Sequence, residues 1–470
     1  MSYKRELARS LYALSTSGSH LAVAHSDRYM LLERPEEGAS INSNYRLVSV
    51  GTDASLPGES VTAIHCMNVY TPQSGQKAAV RGASLCMVVG YSSGYLRIYS
   101  HYGHLLTSHQ FHSHPLIRIR LRMPSLGEGS TGSHGNGDDS EEVGLTYADG
   151  TVVNIDGKSL YLALRLCLNE ATSAEADEPV FQYKKWAFDL NTPLVADAIS
   201  YGPAYNRDPL SSIAKPSFTS NPVLNDATAR FLVAPKHGDA TFGVFMTNED
   251  AAVSVSAVEI AGKMAAKVTG AVLNIAKSYF WRSSPRSSTR GGDNGGYPEV
   301  SSGASEAGTM VACAFAVRDS PRKVLDISLA PASYGLAALT DSLGRVMLFD
   351  LETCEVVHML KGLRGSQCAW LEVKSGDSGP SDGARRRMFI VVYAGRRGTV
   401  DIFELGSLER PVASVSVGLG WKLVQCPTQP LGGSLVVGSA ESTRRALQPL
   451  LSSCMLISES GYIATLDLRL

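Results

Sequence analysis

A short histidine-rich stretch is the densest group of side chains that could bind a metal ion. Its members are His101, His104, His109, His112 and His114. A zinc site needs three or four ligands that converge in tetrahedral geometry, and no cysteine is interspersed with these histidines. The end of the stretch also has the pattern of a strand, whose neighbouring side chains point to opposite faces. We therefore expect surface or structural histidines and no metal site.

Arginines in predicted turns are the second group of residues that could take part in a chemical step. Arg364, Arg396 and Arg397 stand beside glycines in such turns, and a further arginine run occupies 385–387 in a predicted loop. A guanidinium that reaches a transferring phosphoryl group stabilises its charge, as an arginine finger does. We favour solvated turns or contacts with a partner protein for these residues.

The segment 251–281 is predicted to be an amphipathic helix, because its apolar residues recur at helical spacing. A basic face with aromatic anchors is typical of a helix that lies in a membrane interface. Packing of the apolar stripe on protein is the interpretation that we favour over membrane contact. The candidate contact residues are Lys263, Lys267, Lys277, Tyr279, Phe280 and Trp281.

The remaining chemistry-bearing patterns do not predict an enzyme. There is no phosphate-binding loop of the Gly-x-x-x-x-Gly-Lys-Ser/Thr type. Asp149, Asp341 and Glu459 occupy similar positions in predicted turns, where carboxylates commonly cap backbone N–H groups. We expect no catalytic residue, no cofactor and no bound metal. A hydrolase with its site in a central channel is the alternative, and it would need such acids to converge.

Charge and composition restrict the classes of partner. Lys and Arg number 43, Asp and Glu number 44, and the formal net charge is −1. This balance argues against electrostatic binding of nucleic acid by the domain as a whole. Hydrophobic residues make up 44% of the 470 residues, so that a sizeable core can form.

One strand–turn–strand unit recurs along the chain and is the main evidence for the fold. In each copy an apolar strand leads into a polar or glycine-containing turn, and an alternating strand follows. The spacing of the copies exceeds the usual blade repeat of about 40 to 45 residues, because insertions separate them. The seven copies occupy residues 20–33, 85–99, 143–156, 231–245, 335–350, 389–403 and 454–468.

These hairpins predict an all-β fold, a WD-repeat-like β-propeller of about seven blades that spans 1–470 as a single domain. The strand before each turn is apolar on both faces, as expected of a central strand, and the strand after it alternates, as expected of a more exposed one. Turn glycines such as Gly94, Gly344 and Gly398 supply a positive φ. A pair of β-sandwiches is the alternative.

Three insertions and two helices interrupt the hairpins. The insertions at 123–142, 251–308 and 374–386 contain Ser- and Gly-rich stretches that are typical of disordered loops. The second of them begins with the predicted helix 251–281. A shorter helix is predicted at 157–169.

The eight cysteines predict a reducing compartment. They are far apart and form no Cys-x-x-Cys pair, and several, including Cys86 and Cys313, lie in apolar runs. Buried free thiols fit this pattern best. No signal peptide and no membrane-spanning stretch are visible in the sequence, so we expect a cytoplasmic protein.

Part of the chain resembles a known family. The segments 321–331, 340–350 and 358–370 are similar to the regulatory, non-catalytic subunit of the Rab-3 GTPase-activating complex. Shorter stretches with the same resemblance are 91–99, 183–186, 268–281 and 393–400.

The resemblance implies a subunit that pairs with a separate catalytic subunit, to which the catalytic arginine belongs. In that family the complex activates GTP hydrolysis by Rab-3-type GTPases and promotes nucleotide exchange on Rab-18. The implied partners are the catalytic subunit, the Rab GTPases and, by peripheral contact, endoplasmic reticulum or vesicle membranes. Another membrane-trafficking propeller scaffold is the alternative function.

Family members continue into a long helical region after the propeller, whereas this sequence reaches Leu470 just after the last predicted hairpin. A truncated or diverged form and one domain of a longer protein are both open interpretations.

Overall fold

The chain is described here from a computed structural model. The structure describes residues 9–34, 45–51, 58–71, 83–123, 141–169, 181–190, 194–205, 227–248, 307–374, 386–433 and 450–468. The predicted insertions, and with them the predicted helix 251–281, fall almost wholly outside these residues.

Seven β-sheets follow one another in the described residues, and together they form a seven-bladed β-propeller, as the hairpins predict. Blade 1 contains β1 (Leu11–Leu14), β2 (His20–His25), β3 (Arg28–Glu33) and β4 (Arg46–Gly51). Blade 2 contains β5 (Val61–Tyr70), β6 (Ala83–Tyr91), β7 (Tyr95–Ser100) and β8 (Leu105–Gln110). Blade 3 contains β9 (Leu116–Arg122), β10 (Glu142–Tyr147), β11 (Val152–Asp156), β12 (Tyr183–Phe188) and β16 (Thr309–Val311).

The second half of the chain supplies the other four blades. Blade 4 contains β13 (Val195–Tyr205), β14 (Ala227–Pro235), β15 (Phe242–Asn248) and β17 (Cys313–Val317). Blade 5 contains β18 (Val324–Leu329), β19 (Leu336–Asp341), β20 (Arg345–Asp350) and β21 (Glu355–Lys361). Blade 6 contains β22 (Ser366–Lys374), β23 (Arg386–Ala394), β24 (Thr399–Glu404) and β25 (Ala413–Ser416). Blade 7 contains β26 (Trp421–Gln425), β27 (Cys454–Ser458) and β28 (Ile463–Thr465).

Each blade is an antiparallel meander whose first strand lies innermost. Blade 3 departs from this pattern, because β16 adds to β12 in parallel before the chain crosses to blade 4 as β17. Turns between second and third strands and loops from an outer to the next inner strand lie at the same end of the blades. We call this end the turn face and the other end the opposite face.

Hydrophobic clusters between neighbouring sheets hold the ring together. A buried cluster lies at each of the seven junctions between neighbouring blades in the described residues. The ring closes where Leu14 and Leu21 of blade 1 pack with Cys426 and Met455 of blade 7. Each sheet therefore buries both of its faces, which explains why the second strands are continuously apolar.

All seven predicted hairpins are present, but the predicted alternating exposure of their second halves is wrong in several blades, most clearly in three. The third strands β7, β20 and β24 are buried almost throughout. An outer strand covers each of them, and in β7 and β24 polar side chains are buried with partners. One example is Arg97 on β7, which pairs with the buried Glu59. The third strand of blade 1, β3, does alternate.

The short predicted helix is correct in both bounds. It is α1 (Gly157–Asn169), and Leu160 and Leu164 on its apolar side join the cluster between blades 2 and 3. The backbone N–H of Ser159 in its first turn donates to Asp156, 2.8 Å away. No helix in the described part of the chain is long and apolar enough to cross a membrane.

The cysteine prediction is correct in part. All eight thiols are free, and five of them are buried. Burial raises the pKa of Cys66 and of Cys86 to about 12, so that these thiols stay protonated at neutral pH. Cys313 is exposed, contrary to the prediction, because the outermost strand β17 has no strand beyond it in the described residues.

Candidate functional site

The central channel is where a propeller hydrolase would place its chemistry. The inner strands surround a cavity of about 1070 Å³. Arg118, Arg120 and Arg122 on β9 line it, since alternate residues of a strand share one face. The acids beside them are engaged in ion pairs, with Arg118 bonded to Asp326 and Arg122 bonded to Glu142.

Arg120 makes extensive polar contacts in the channel. Its guanidinium donates to both oxygens of the fully buried Asp197, at 2.8 and 2.5 Å, and to the carbonyl oxygen of Ile327 at 3.0 Å. Asp197 also accepts the N–H of Ile327 at 2.9 Å. The three residues belong to blades 3, 4 and 5, so this group ties three inner strands together and has the geometry of a structural lock.

A Gly-x-Ser-x-Gly pattern, which marks the nucleophile of some hydrolases, occurs at Gly90 to Gly94. In those enzymes the serine sits on a strand-to-helix turn. Here Ser92 lies in the β6–β7 hairpin turn, and its hydroxyl accepts the N–H of Ser60 at 3.0 Å. Gly94 is required there for another reason, because a Cβ at its φ of 86° would lie 1.9 Å from the carbonyl oxygen of His112. The pattern is therefore a turn of the fold.

Within the histidine stretch, His112 contacts Asp149 and so joins two loops of the turn face, and we call this contact the His–Asp clasp. His112 Nε2 lies 2.7 Å from Asp149 Oδ2, and Thr151 donates to the same carboxylate through its N–H and its hydroxyl. Burial raises the pKa of Asp149, but the hydrogen bonds from His112 and Thr151 outweigh it and lower the pKa to about 2. The turn-capping role predicted for Asp149 is confirmed, as it is for Asp341, which accepts the N–H of Leu343 at 2.9 Å.

The end of the histidine stretch is predicted to be a strand, which would point neighbouring side chains to opposite faces. This prediction is wrong. β8 ends at Gln110, and His112 and His114 stack in the loop before β9 with ring centroids 5.0 Å apart. Their ligand atoms and that of Asp149 lie within 4.8 Å of one another, close enough to surround an ion. A metal-bound histidine usually donates its second N–H to an acceptor. The buried Nδ1 of His112 has no such partner in the described residues, so the geometry favours a His–Asp clasp.

The three arginines of the predicted turns come together on the turn face. Arg364 lies in the loop from β21 to β22, and Arg396 and Arg397 lie in the β23–β24 turn. The N–H of Arg396 donates to the carbonyl oxygen of Arg364 at 3.2 Å. All three side chains are exposed, and none has a carboxylate within ion-pair distance in the described residues. The run at 385–387 differs, because Arg386 and Arg387 belong to β23 and Arg387 pairs with Glu404.

Close backbone packing fixes the position of these arginines. The N–H of Leu363 donates to the carbonyl oxygen of Gly344 in the β19–β20 turn at 2.9 Å. The stem of Arg364 packs on that glycine, where a Cβ would lie 2.7 Å from Arg364 Cγ. One turn and one loop from successive blades thus support each other, and the chain presents the charges on a rigid base.

Sequence reasoning misses the residues that flank this cluster, because single exposed residues in turns have no pattern. Leu343, Lys361, Leu419 and Tyr462 are all exposed on the same face. The predicted helix residues Lys263, Lys267, Lys277, Tyr279, Phe280 and Trp281 lie outside the described residues.

Fold and surface together define a class, a β-propeller whose turn face carries exposed arginines that make no ion pair in the described residues. Within this class the chain belongs to a specific family. The family whose model matches is described as the Rab3 GTPase-activating protein regulatory subunit N-terminus, and the match covers residues 7–424. The expected resemblance is confirmed, and the family assigns the chain a regulatory role in a Rab GTPase-activating complex.

Solved structures similar to the chain include Saccharomyces cerevisiae Sqt1, at 10% identity and a TM-score of 0.40, over 98% of this chain and 83% of that one. The C-terminal WD40 domain of Sif2 has 9% identity and a TM-score of 0.39, over 97% and 95% of the two chains. A chain of the mitotic checkpoint complex has 10% identity and a TM-score of 0.42, over 98% and 90%. Likenesses at this level say nothing about function.

Proposed function

We propose that the chain is a protein-binding scaffold that joins the catalytic subunit of a Rab GTPase-activating complex and supports GTP hydrolysis on Rab-3-type GTPases. The observation that carries the proposal is the family match over residues 7–424. A scaffold of this kind increases the rate by holding enzyme and substrate in productive orientation, and it needs no reacting group of its own.

The finer parts of the proposal follow the family. They are nucleotide exchange on Rab-18, a role in vesicle trafficking, and a cytoplasmic location with peripheral contact to endoplasmic reticulum or vesicle membranes. The predicted helix 251–281 is the proposed membrane contact. Flotation with anionic liposomes tests it, and equal flotation of the chain with and without 251–281 would remove the helix from the proposal.

The test of the scaffold role is complex formation between purified components. The chain is mixed with the purified catalytic subunit of the same complex, and the mixture is analysed by size-exclusion chromatography with light scattering. We expect a stable complex with one copy of each subunit. Separate elution of the two proteins at micromolar concentration would contradict the proposal.

The arginine-finger hypothesis has a separate readout. If Arg396 or Arg397 reached the transferring phosphoryl group, its change to alanine would lower kcat of the saturated complex by about 10³-fold or more. We expect kcat at saturation to stay within about twofold and the concentration needed for saturation to rise, because we favour contacts with a partner protein for these residues.

A further inference from the structure

We propose that the turn face of blades 5 to 7 is the docking surface for an acidic patch, flanked by apolar side chains, on the catalytic subunit. This inference rests on the proposed function and adds the location and chemistry of the contact. We call the surface the arginine surface. It consists of Leu343, Lys361, Arg364, Arg396, Arg397, Leu419 and Tyr462.

The surface concentrates positive charge in a chain that is nearly neutral overall. Lys361, Arg364, Arg396 and Arg397 are exposed, and none of them makes an ion pair in the described residues. Nearby cations behave differently, since Arg322 pairs with Asp341. Four exposed cations that make no ion pair in the described residues, in a molecule of net charge −1, leave a local field that attracts carboxylates.

The surface is pre-organised by a continuous chain of backbone contacts. The β23–β24 turn contacts the preceding loop, where Gly395 N–H donates to the carbonyl oxygen of Gly365 at 3.2 Å. On its other side, Gly418 N–H donates to the carbonyl oxygen of Gly398 at 2.9 Å. The Arg397 guanidinium lies over Gly362, where a Cβ would be 3.1 Å from Nη2. Because the backbone is fixed before binding, little conformational entropy is lost when a partner docks.

Apolar side chains stand at both ends of the charged centre. Leu343 marks the blade 5 end, and Leu419 and Tyr462 mark the blade 7 end with exposed fractions of 70% and 72%. Arginine and tyrosine, both present here, are enriched at the binding hot spots of protein interfaces. A partner protein would cover this apolar area and exclude water from the guanidinium–carboxylate contacts, which strengthens them.

A phosphate-rich partner fits the surface less well. Glu459 lies in the same turn as Tyr462, and its carboxylate packs against Gly420, the neighbour of Leu419, where a Cβ would be 2.7 Å from its carboxyl carbon. A duplex or an anionic bilayer presents dense negative charge across the whole contact and would be repelled there. A protein can place a donor opposite Glu459 and carboxylates opposite the arginines.

The experiment uses a charge-reversed surface and a matched control. The test variant combines R364E, R396E and R397E. The control combines R34E, K374E and R410E, which reverse three exposed cations at the opposite face. Both variants carry the same net charge, and thermal unfolding checks that both are folded. The probe is the purified catalytic subunit, and its Kd is measured at low and at high salt.

We expect the test variant to weaken binding by about 10- to 100-fold at low salt, with a smaller loss at high salt, and the control to stay within about threefold. An independent variant, L419A with Y462A, is expected to weaken binding by about tenfold with unchanged salt dependence. Equal binding by the wild type and the test variant would overturn the docking site and leave the proposed function intact. Failure of the wild type to bind would overturn both.

Two further outcomes also decide against the inference. An equal loss in the control would show that net charge, and no particular face, governs binding. If the test variant loses affinity for phosphatidylserine vesicles or duplex DNA while it retains the catalytic subunit, the surface serves a phosphate-bearing partner.

Discussion

The guanidinium of Arg120 shows how much a single residue can contribute to this ring. It is hydrogen-bonded to the fully buried Asp197, and removal of one partner of such a pair leaves a charge without compensation. We expect Arg120→Ala to lower the free energy of unfolding by about 3–5 kcal/mol, measured by urea denaturation. The control is Arg118→Ala, because Arg118 and its partner Asp326 are 41% and 39% exposed and such a partly exposed pair contributes about 1 kcal/mol or less. Equal losses in the two variants would refute the structural lock.

His65 predicts a pH dependence of stability. It lines the central channel on β5, and burial lowers its pKa from 6.5 to about 4. Below pH 6.5 the unfolded chain binds a proton there that the folded chain does not, so stability is complete above 6.5 and falls as the pH approaches 4. By pH 5 the contribution of His65 to this loss is about 2 kcal/mol.

His65→Gln removes this titration. Urea denaturation at pH 7 and at pH 5 is therefore expected to show a smaller acid loss in the variant, by about 2 kcal/mol. The other buried histidines and the acids are common to both proteins and cancel in the difference. The same loss of stability at pH 5 in both proteins would contradict this prediction and would mean that the His65 imidazole is solvated in the channel.

At the scale of elements, the hairpin turns differ in what they demand of their glycines. Gly398 has a φ of 70°, and a Cβ there would lie 2.7 Å from the backbone of Gly418. Gly461 has a φ of 86° and nothing within 4 Å of the same position. Both changes to alanine incur the strain of a left-handed backbone, about 1–2 kcal/mol. Only Gly398→Ala also collides with the neighbouring loop.

We therefore expect Gly398→Ala to destabilise the chain by roughly 1 kcal/mol or more beyond Gly461→Ala, measured by urea denaturation at pH 7. It should also weaken binding to the catalytic subunit, since Arg396 and Arg397 lie in the same turn. Equal destabilisation by the two changes would contradict this expectation. It would show that the loop at Gly418 moves away from a Cβ at position 398 at little cost in free energy.

The hairpins and α1 could be predicted from the sequence because their signals are local. An apolar run, a polar or glycine-containing turn and a second run fix each hairpin, and helical spacing fixes α1. The burial of β7, β20 and β24 could not be predicted, because it depends on outer strands such as β21 and β25, which are largely exposed and carry a weak pattern. The crossing of β16 onto β12 pairs segments separated by a long insertion, and no local pattern encodes it.

The candidate site could be predicted only in part for the same reason. The three arginines stand out as charges beside glycines. Their meeting with Leu343, Leu419 and Tyr462 depends on which loop of one blade contacts which turn of the next. That order is a property of the closed ring, and segments far apart in sequence become neighbours on its turn face.

At the scale of the whole molecule, the closed ring separates stability from recognition. The seven clusters between blades and the Arg120 group hold the strands, while the exposed side chains of the turn face lie outside these contacts. This division suits a regulatory subunit, because a contact surface can be built on a rigid core without a reacting group. The family assignment indicates the complex in which the chain has its regulatory role, the Rab GTPase-activating complex.

The most direct measurement of the central claim is single-turnover GTP hydrolysis by a Rab-3-type GTPase. The GTPase is assayed alone, with this chain, with the catalytic subunit, and with both. We predict that the chain alone leaves the intrinsic rate unchanged, that the catalytic subunit raises it, and that both together raise it further. Acceleration by the chain alone, or no difference between the catalytic subunit with and without the chain, would contradict the claim that this propeller is a non-catalytic regulatory subunit.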